Sequence, residues 1–318
     1  MTEVPEDRRL FREAADLAIR LQNDPSNPVS VEMLRAWLAR SAQHQAAWAR
    51  ISAIHGMTGQ VLKENRRAAR AGHGPSRRSL VIGGAIGLGA AAAGSLALPR
   101  ALRRLQADYT TSTAELRPVV LTDGSVMTLG PDSAVAIRYG GERRAVELLS
   151  GMAYFEVAPE PARPFVVHVD RFSATALGTA FDVSNDAGFI SVSVSHGVVE
   201  ASTAGPGQRS AERLNIGQWI TLDSSSHAIS RGLREPSQIA AWRDGMIVAD
   251  RETVSAMVAK IARWQGGHVV MADPSLGSRQ VSGVFDLSDP IRALEAVARP
   301  FGAKVRRIGP LVTVLSPV

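Results

Sequence analysis

The chain has 318 residues, a formal net charge of +6 and a pI near 10.4, so there is room for two or three domains that each bury a core. It contains no cysteine, which excludes disulfides, thiolate zinc sites and cysteine catalysis. Much of the basic excess lies beside one apolar stretch, which points to a membrane surface more than to nucleic acid.

Residues 1–78 read as a small all-α bundle. In the first helix Leu10, Ala14, Leu17 and Leu21 share a face with Phe11 and Ala18, and Asn23-Asp24-Pro25 stops it. The second is expected to start with Ser30 as its cap and to carry Leu34, Trp37 and Leu38 as its stripe. The third starts at Ser41, with Trp48, Ile51, Ile54 and His55 at helical spacing. So small a bundle buries little, so Trp37, Leu38 and Trp48 are both core candidates and candidates for a partner surface.

Residues 79–98 read as one transmembrane helix. Leu80 to Leu98 carries no charge, and a helix of that length reaches about 28 Å, close to the hydrocarbon thickness of a bilayer. Arg66, Arg67, Arg70, Arg77 and Arg78 precede it, and Arg100, Arg103 and Arg104 follow, so the denser side is expected in the cytoplasm. Gly87, Gly89 and Ala92 match a loose dinucleotide fingerprint, but the strand that should precede it is only Leu80 to Ile82. Ser76-Arg77-Arg78 is also a twin-arginine-like export signal, and both routes of insertion stay open.

Residues 99–114 form a juxtamembrane linker, and from Glu115 the apolar period changes to two. Val135, Ile137 and Tyr139 alternate with small or polar residues, as do Ile190, Val192 and Val194 with serines. Asp123-Gly124, Gly140-Gly141, Asn185-Asp186 and His196-Gly197 are expected turns. Residues 115–230 are therefore an all-β domain with one buried and one wet face. A polar, glycine- and proline-bearing link leads to residues 238–318, a small α/β domain. There Asp250 is expected to cap one helix and Asp289 another, the second bearing Ile291, Leu294 and Val297. Ala262-Arg263-x-x-Gly266-x-x-Val269 returns as Ala298-Arg299-x-x-Gly302-x-x-Val305, which suggests two helix-to-strand units.

The seven histidines are scattered, and no HExxH, P-loop or G-x-S-x-G elbow is present. No catalytic residue, metal site or cofactor is expected, and no glycosidase-like pair of carboxylates is evident. Helix two offers only Arg35 and Arg40 as basic residues, few for tracking phosphates.

Two sets of motifs resemble the FecR family of membrane-bound sigma-factor regulators. In the first, Leu21, Trp37, Leu38, Ser41, His44, Ala47 and Ile51 stand where that family's N-terminal anti-sigma module expects them, with Ala42 where it often has proline. In the second, LTDGSVMTLGPDSAVAIRY, RAVELLSGMAYFEV, RPFVVHV, ATALGTAFDV and VSVSHGVVE follow the FecR domain in order. Thr122 replaces its usual proline and Met152 its usual acid. The tail is similar to the short secretin-and-TonB N-terminal module. The resemblance implies a single-pass inner-membrane protein, N-terminus cytoplasmic and C-terminus periplasmic. It implies an extracytoplasmic-function sigma factor held by residues 1 to about 70, for which Trp37, Leu38 and Trp48, on helices too short to bury everything, are the expected contacts. It further implies a TonB-dependent outer-membrane receptor serving iron or siderophore uptake, expected to dock on residues 245–318 by edge-strand pairing or on the helix bearing Ile291 and Leu294, and an intramembrane protease. Relatives suggest self-cleavage at Gly178-Thr179, against which stands a simple bend at Gly178. The alternative function is a membrane-tethered transcription factor with a periplasmic sensor.

Overall fold

The structure, a computed structural model, describes residues 6–23, 27–49, 51, 105–205, 208–309 and 312–317. The expected span at 80–98, Arg77 and Arg78 lie outside the described residues. Among those described, no helix is long and apolar enough to cross a membrane.

The N-terminal helices are α1 (Glu6–Asn23), α2 (Pro28–Leu38) and α3 (42–49). The cap of α2 is Asn27, not Ser30: its Oδ1 accepts from the Val29 and Ser30 amides at 3.0 and 3.4 Å, and Pro28 occupies the first turn. Proline needs no amide partner there, so the helix starts earlier than its apolar stripe. Ser41 does begin the third helix, accepting from the His44 amide at 3.4 Å.

Among the described residues thirteen strands make the large sheet. In order they are β1 (Tyr109–Thr110), β2 (Arg117–Val120), β3 (Val126–Leu129), β4 (Ala134–Tyr139), β5 (Arg144–Glu156), β6 (Phe165–Val169), β7 (Phe172–Ala176), β8 (Ala180–Asp186), β9 (Phe189–His196), β10 (Val199–Gly205), β11 (Gln208–Leu214), β12 (Gln218–Asp223) and β13 (Ile229–Leu233). β5 is the spine. Its first half pairs with β4 and, in parallel, with β6, and its second half pairs with β3 and β8. The change of partners occurs beside Gly151, at φ +93°, where a Cβ would stand 2.1 Å from Ser133 Oγ. That hydroxyl ties the bend, accepting from the Met152 amide at 2.9 Å and donating to the Met152 carbonyl at 3.0 Å. The sheet thus curls into a half-barrel around Phe155, Phe165, Phe181 and the aliphatic residues of the inner face. It begins at Tyr109, inside the expected linker, because β1 pairs with β4. The β8–β9 turn falls at Ala187 and Gly188, both at positive φ, with Asn185 and Asp186 still in the strand.

A C-terminal layer covers the other face of β8 and β9. It contains β14 (Met246–Thr253), α4 (Val254–Ala262), β15 (His268–Met271), α5 (Pro274–Gly277), β16 (Gln280–Asp286), α6 (Pro290–Ala298), β17 (Ala303–Ile308) and β18 (Val312–Pro317). β14 pairs with β16, and β15, β18 and β17 form a second small sheet. Asp250 lies in β14 and does not cap α4; Thr253 does, its hydroxyl accepting from the Ala256 amide at 3.3 Å. Asp289 caps α6, with Pro290 in the first turn. The layer shares one core with Met152 and Tyr154 of β5. The outer side of β14 and β16 is covered in turn by α1.

Candidate functional site

The N-terminal cluster is built around Trp37. It is 5% exposed, its indole donates to Glu13 Oε2 at 2.8 Å, and its ring meets that of His44 edge-on at 4.7 Å. Ala47 and Ile51 are fully buried against it. The spacing of Trp37, His44, Ala47 and Ile51 is therefore that of one small core. Leu38 and Trp48 are half-buried at its rim. On α2, Val29 and Met33 are exposed one turn apart.

Gly178 and Thr179 sit between β7 and β8. Gly178 has φ +126°, a value that favours glycine, and a Cβ there would press on Pro159 at 3.3 Å. Thr179 is 6% exposed, and its Oγ1 is buried without a hydrogen-bond partner among the described residues. Its carbonyl accepts from the Val157 amide at 2.8 Å, which fixes the segment against the end of β5.

In α6 Leu294 is fully buried and Ile291 is half-buried, so a partner meeting this helix would reach Ile291 and not Leu294. The period of the stripe placed both on one face, and that face is the inward one.

Sequence reasoning missed the joint between the β domain and the C-terminal layer. Asp182 of β8 accepts from the Trp242 indole at 2.9 Å beside a cavity of about 40 Å³, lined also by Ser184, Arg234, Gln238 and Lys260. Burial pushes the Asp182 carboxyl up to about 6; Asp186 adds to this, while Trp242, Lys260 and Arg243 oppose it. Next to it Glu252 accepts from Lys260 at 2.6 Å and Arg234 at 3.2 Å. Burial works against the Glu252 charge, but the two cations outweigh it and hold the carboxyl below its usual range. Arg263 reaches back to Asp186 Oδ1 at 3.2 Å and to the carbonyls of Asp132 and Asn185. The only signal was phase: Asp182 and Ser184 alternate with buried Phe181 and Val183 and so read as a wet face.

A second buried pair closes the half-barrel. Arg144, fully buried, donates to Asp123 Oδ2 at 2.7 Å and to the carbonyls of Arg163 and Ala158 at 2.9 and 3.0 Å. Burial opposes the Asp123 charge, yet bonds from Ser125, Arg144 and Tyr139 hold its carboxyl below the usual range. This arrangement is a structural tie. Among the described residues no group of three or more His, Asp or Glu is placed to hold a metal ion.

Residues 12–54 match a domain of unknown function, DUF4880, and residues 107–200 match the FecR protein family. Two crystal structures of a protein described as a candidate anti-sigma factor, from Parabacteroides distasonis ATCC 8503, superpose with a TM-score of 0.59. They are 24% and 23% identical, and the alignment covers 66% of this chain and 98% of theirs. At that identity the likeness is one of fold. No curated protein matches the chain. The half-barrel described above overlaps the FecR match and the described helices up to residue 51 fall in the other, so this chain carries a FecR-family domain behind an N-terminal DUF4880 region.

Proposed function

We propose that the chain is a membrane-anchored anti-sigma factor. The observation that carries the reading is an order: a DUF4880 region, then an uncharged stretch from Leu80 to Leu98 fenced by arginines, then a FecR domain. In this account the N-terminal helices hold an extracytoplasmic-function sigma factor in the cytoplasm. Trp37 shapes the helical face from within, while Leu38 and Trp48 at its rim are within reach of the partner. The β domain and the C-terminal layer, taken as a secretin/TonB-like module, stand in the periplasm. There they meet the signalling domain of a TonB-dependent receptor serving iron or siderophore uptake, and an intramembrane protease completes the relay. Protease added to spheroplasts is expected to digest residues beyond 110 and spare the first 70. The reverse pattern overturns the topology.

The role is regulatory, and the one chemical step proposed is self-cleavage. The Thr179 hydroxyl attacks the Gly178 carbonyl carbon, the Thr179 nitrogen leaves and takes the proton, and water opens the resulting ester. The positive φ at Gly178 and the enclosed, unbonded Thr179 hydroxyl support it. Purified protein is expected to run as two bands on a denaturing gel, and Thr179→Ala as one. A single band for both dismisses the step and leaves Gly178 as a bend.

A further inference from the structure

The packing of α1 on the C-terminal layer places two parts of the chain together that the proposed topology puts on opposite sides of a membrane. Leu10, Phe11, Ala14 and Ala15 are almost wholly buried in a cluster that includes Met246, Val248 and Val284. The alanines let the helix come close to the strands. At the rim Arg12 Nη1 stands 4.0 Å from Asp244 Oδ1. Loss of water, and then the neighbouring Asp286 carboxylate, raise the Asp16 carboxyl above its usual range. If the span is inserted, this contact cannot exist, and each of its apolar faces is then bare.

We infer that the α1 contact on β14 and β16 belongs to the chain before insertion, and that it masks the apolar face of α1 until the membrane parts the two. The inference rests on the topology proposed above. Order of synthesis supports it. α1 is made first, residues 80–98 next, and β14 and β16 last. Insertion during synthesis would remove the span before the C-terminal layer exists, and the contact would never form. An export route that accepts a folded passenger, such as the one a twin-arginine signal at Arg77-Arg78 would use, leaves time for it. While it lasts, the apolar face of α1 is covered; insertion exposes that face in the cytoplasm, where the partner is. The same contact keeps Val248 and Val284 covered during the wait, which lowers the hazard of an exposed apolar patch.

The chain contains no cysteine, so Arg12→Cys with Asp244→Cys supplies its only two thiols. The full-length variant is made by cell-free synthesis without membranes, treated with a short bismaleimide, and then made again with inner-membrane vesicles. Insertion is scored separately by protease protection. The expected result is a linked chain without membranes, loss of the link with Phe11→Asp, and no link in the inserted fraction. Absence of the link in the membrane-free chain overturns the inference, because the contact then does not form. A link in the inserted fraction also overturns it. Failure of the topology shows itself independently, as digestion of both ends of the chain from one side.

Discussion

Replacing Asp123 by alanine is expected to destabilise the β domain by about 3–5 kcal/mol, the range for stranding one charge of a buried pair. The Arg144 side chain is fully buried and that of Asp123 2% exposed, so the guanidinium left behind has no water to turn to and keeps only Glu160 Oε2, at 3.5 Å, as a carboxylate partner. The same change removes the acceptor for the Ser125 amide and hydroxyl and for the Tyr139 hydroxyl. Urea unfolding of the purified protein, followed by tryptophan fluorescence, measures it as a lower midpoint. Asp123→Ala with Arg144→Met is expected to cost less than the sum of the two changes, since no lone charge remains. Arg231→Ala is the control: its bond to Glu212 is 2.8 Å long but exposed, and its loss is expected to cost at most about 1 kcal/mol. Equal losses for Asp123→Ala and Arg231→Ala would show that the buried pair is no structural tie.

The second large effect is pH-linked and lies at the joint. The Asp182 carboxyl titrates near 6 in the folded chain, above its ordinary value of 3.8. The native state therefore holds a proton that the unfolded chain has already released. Its contribution to stability is fully present below about pH 4 and is lost as pH rises through 6. The difference is on the order of 3 kcal/mol. Asp182→Asn keeps an acceptor for the Trp242 indole and cannot ionise. It is expected to gain stability at pH 7 and to flatten the profile between pH 4 and 6. Urea midpoints at pH 4, 5, 6 and 7 measure both. A variant that follows the wild-type profile at every pH would mean that Asp182 is solvated and that the joint is more open than its bonds imply.

The β domain was legible because its inner face obeys simple alternation. Ile190, Val192 and Val194 are buried as their spacing requires. The outer face was misread for a physical reason. Ser193 is 3% exposed and Ser184 3% exposed, yet both are polar, because what covers them is a second layer rich in ionic groups. Alternation reports which residues face the first core, and it is silent on what packs behind. The pairing of Asp182 with Trp242, or of Asp186 with Arg263, joins residues about sixty and eighty apart with no periodicity to announce it. Local chemistry misplaced two caps in the same manner. Ser30 and Asp250 are good cap residues by type, but Asn27 followed by proline, and Thr253 at the end of β14, hold the amides.

In the N-terminal region the motif of Trp37, Ser41, His44, Ala47 and Ile51 was visible as a resemblance to the FecR family, and the structure gives it a cause. Ser41 Oγ lies 2.8 Å from His44 Nδ1, which turns the imidazole edge toward the Trp37 ring. One cap thus fixes the third helix and orients the aromatic pair. That arrangement leaves Leu38 and Trp48 half-buried at the rim of the cluster.

Capture of the full-length chain from membranes in mild detergent, with mass spectrometry of what accompanies it, tests the central claim most directly. The account predicts a sigma factor, retained by the wild-type chain and lost when residues 1–51 are deleted. A chain that brings down no sigma factor, or that keeps one equally well without those residues, contradicts it.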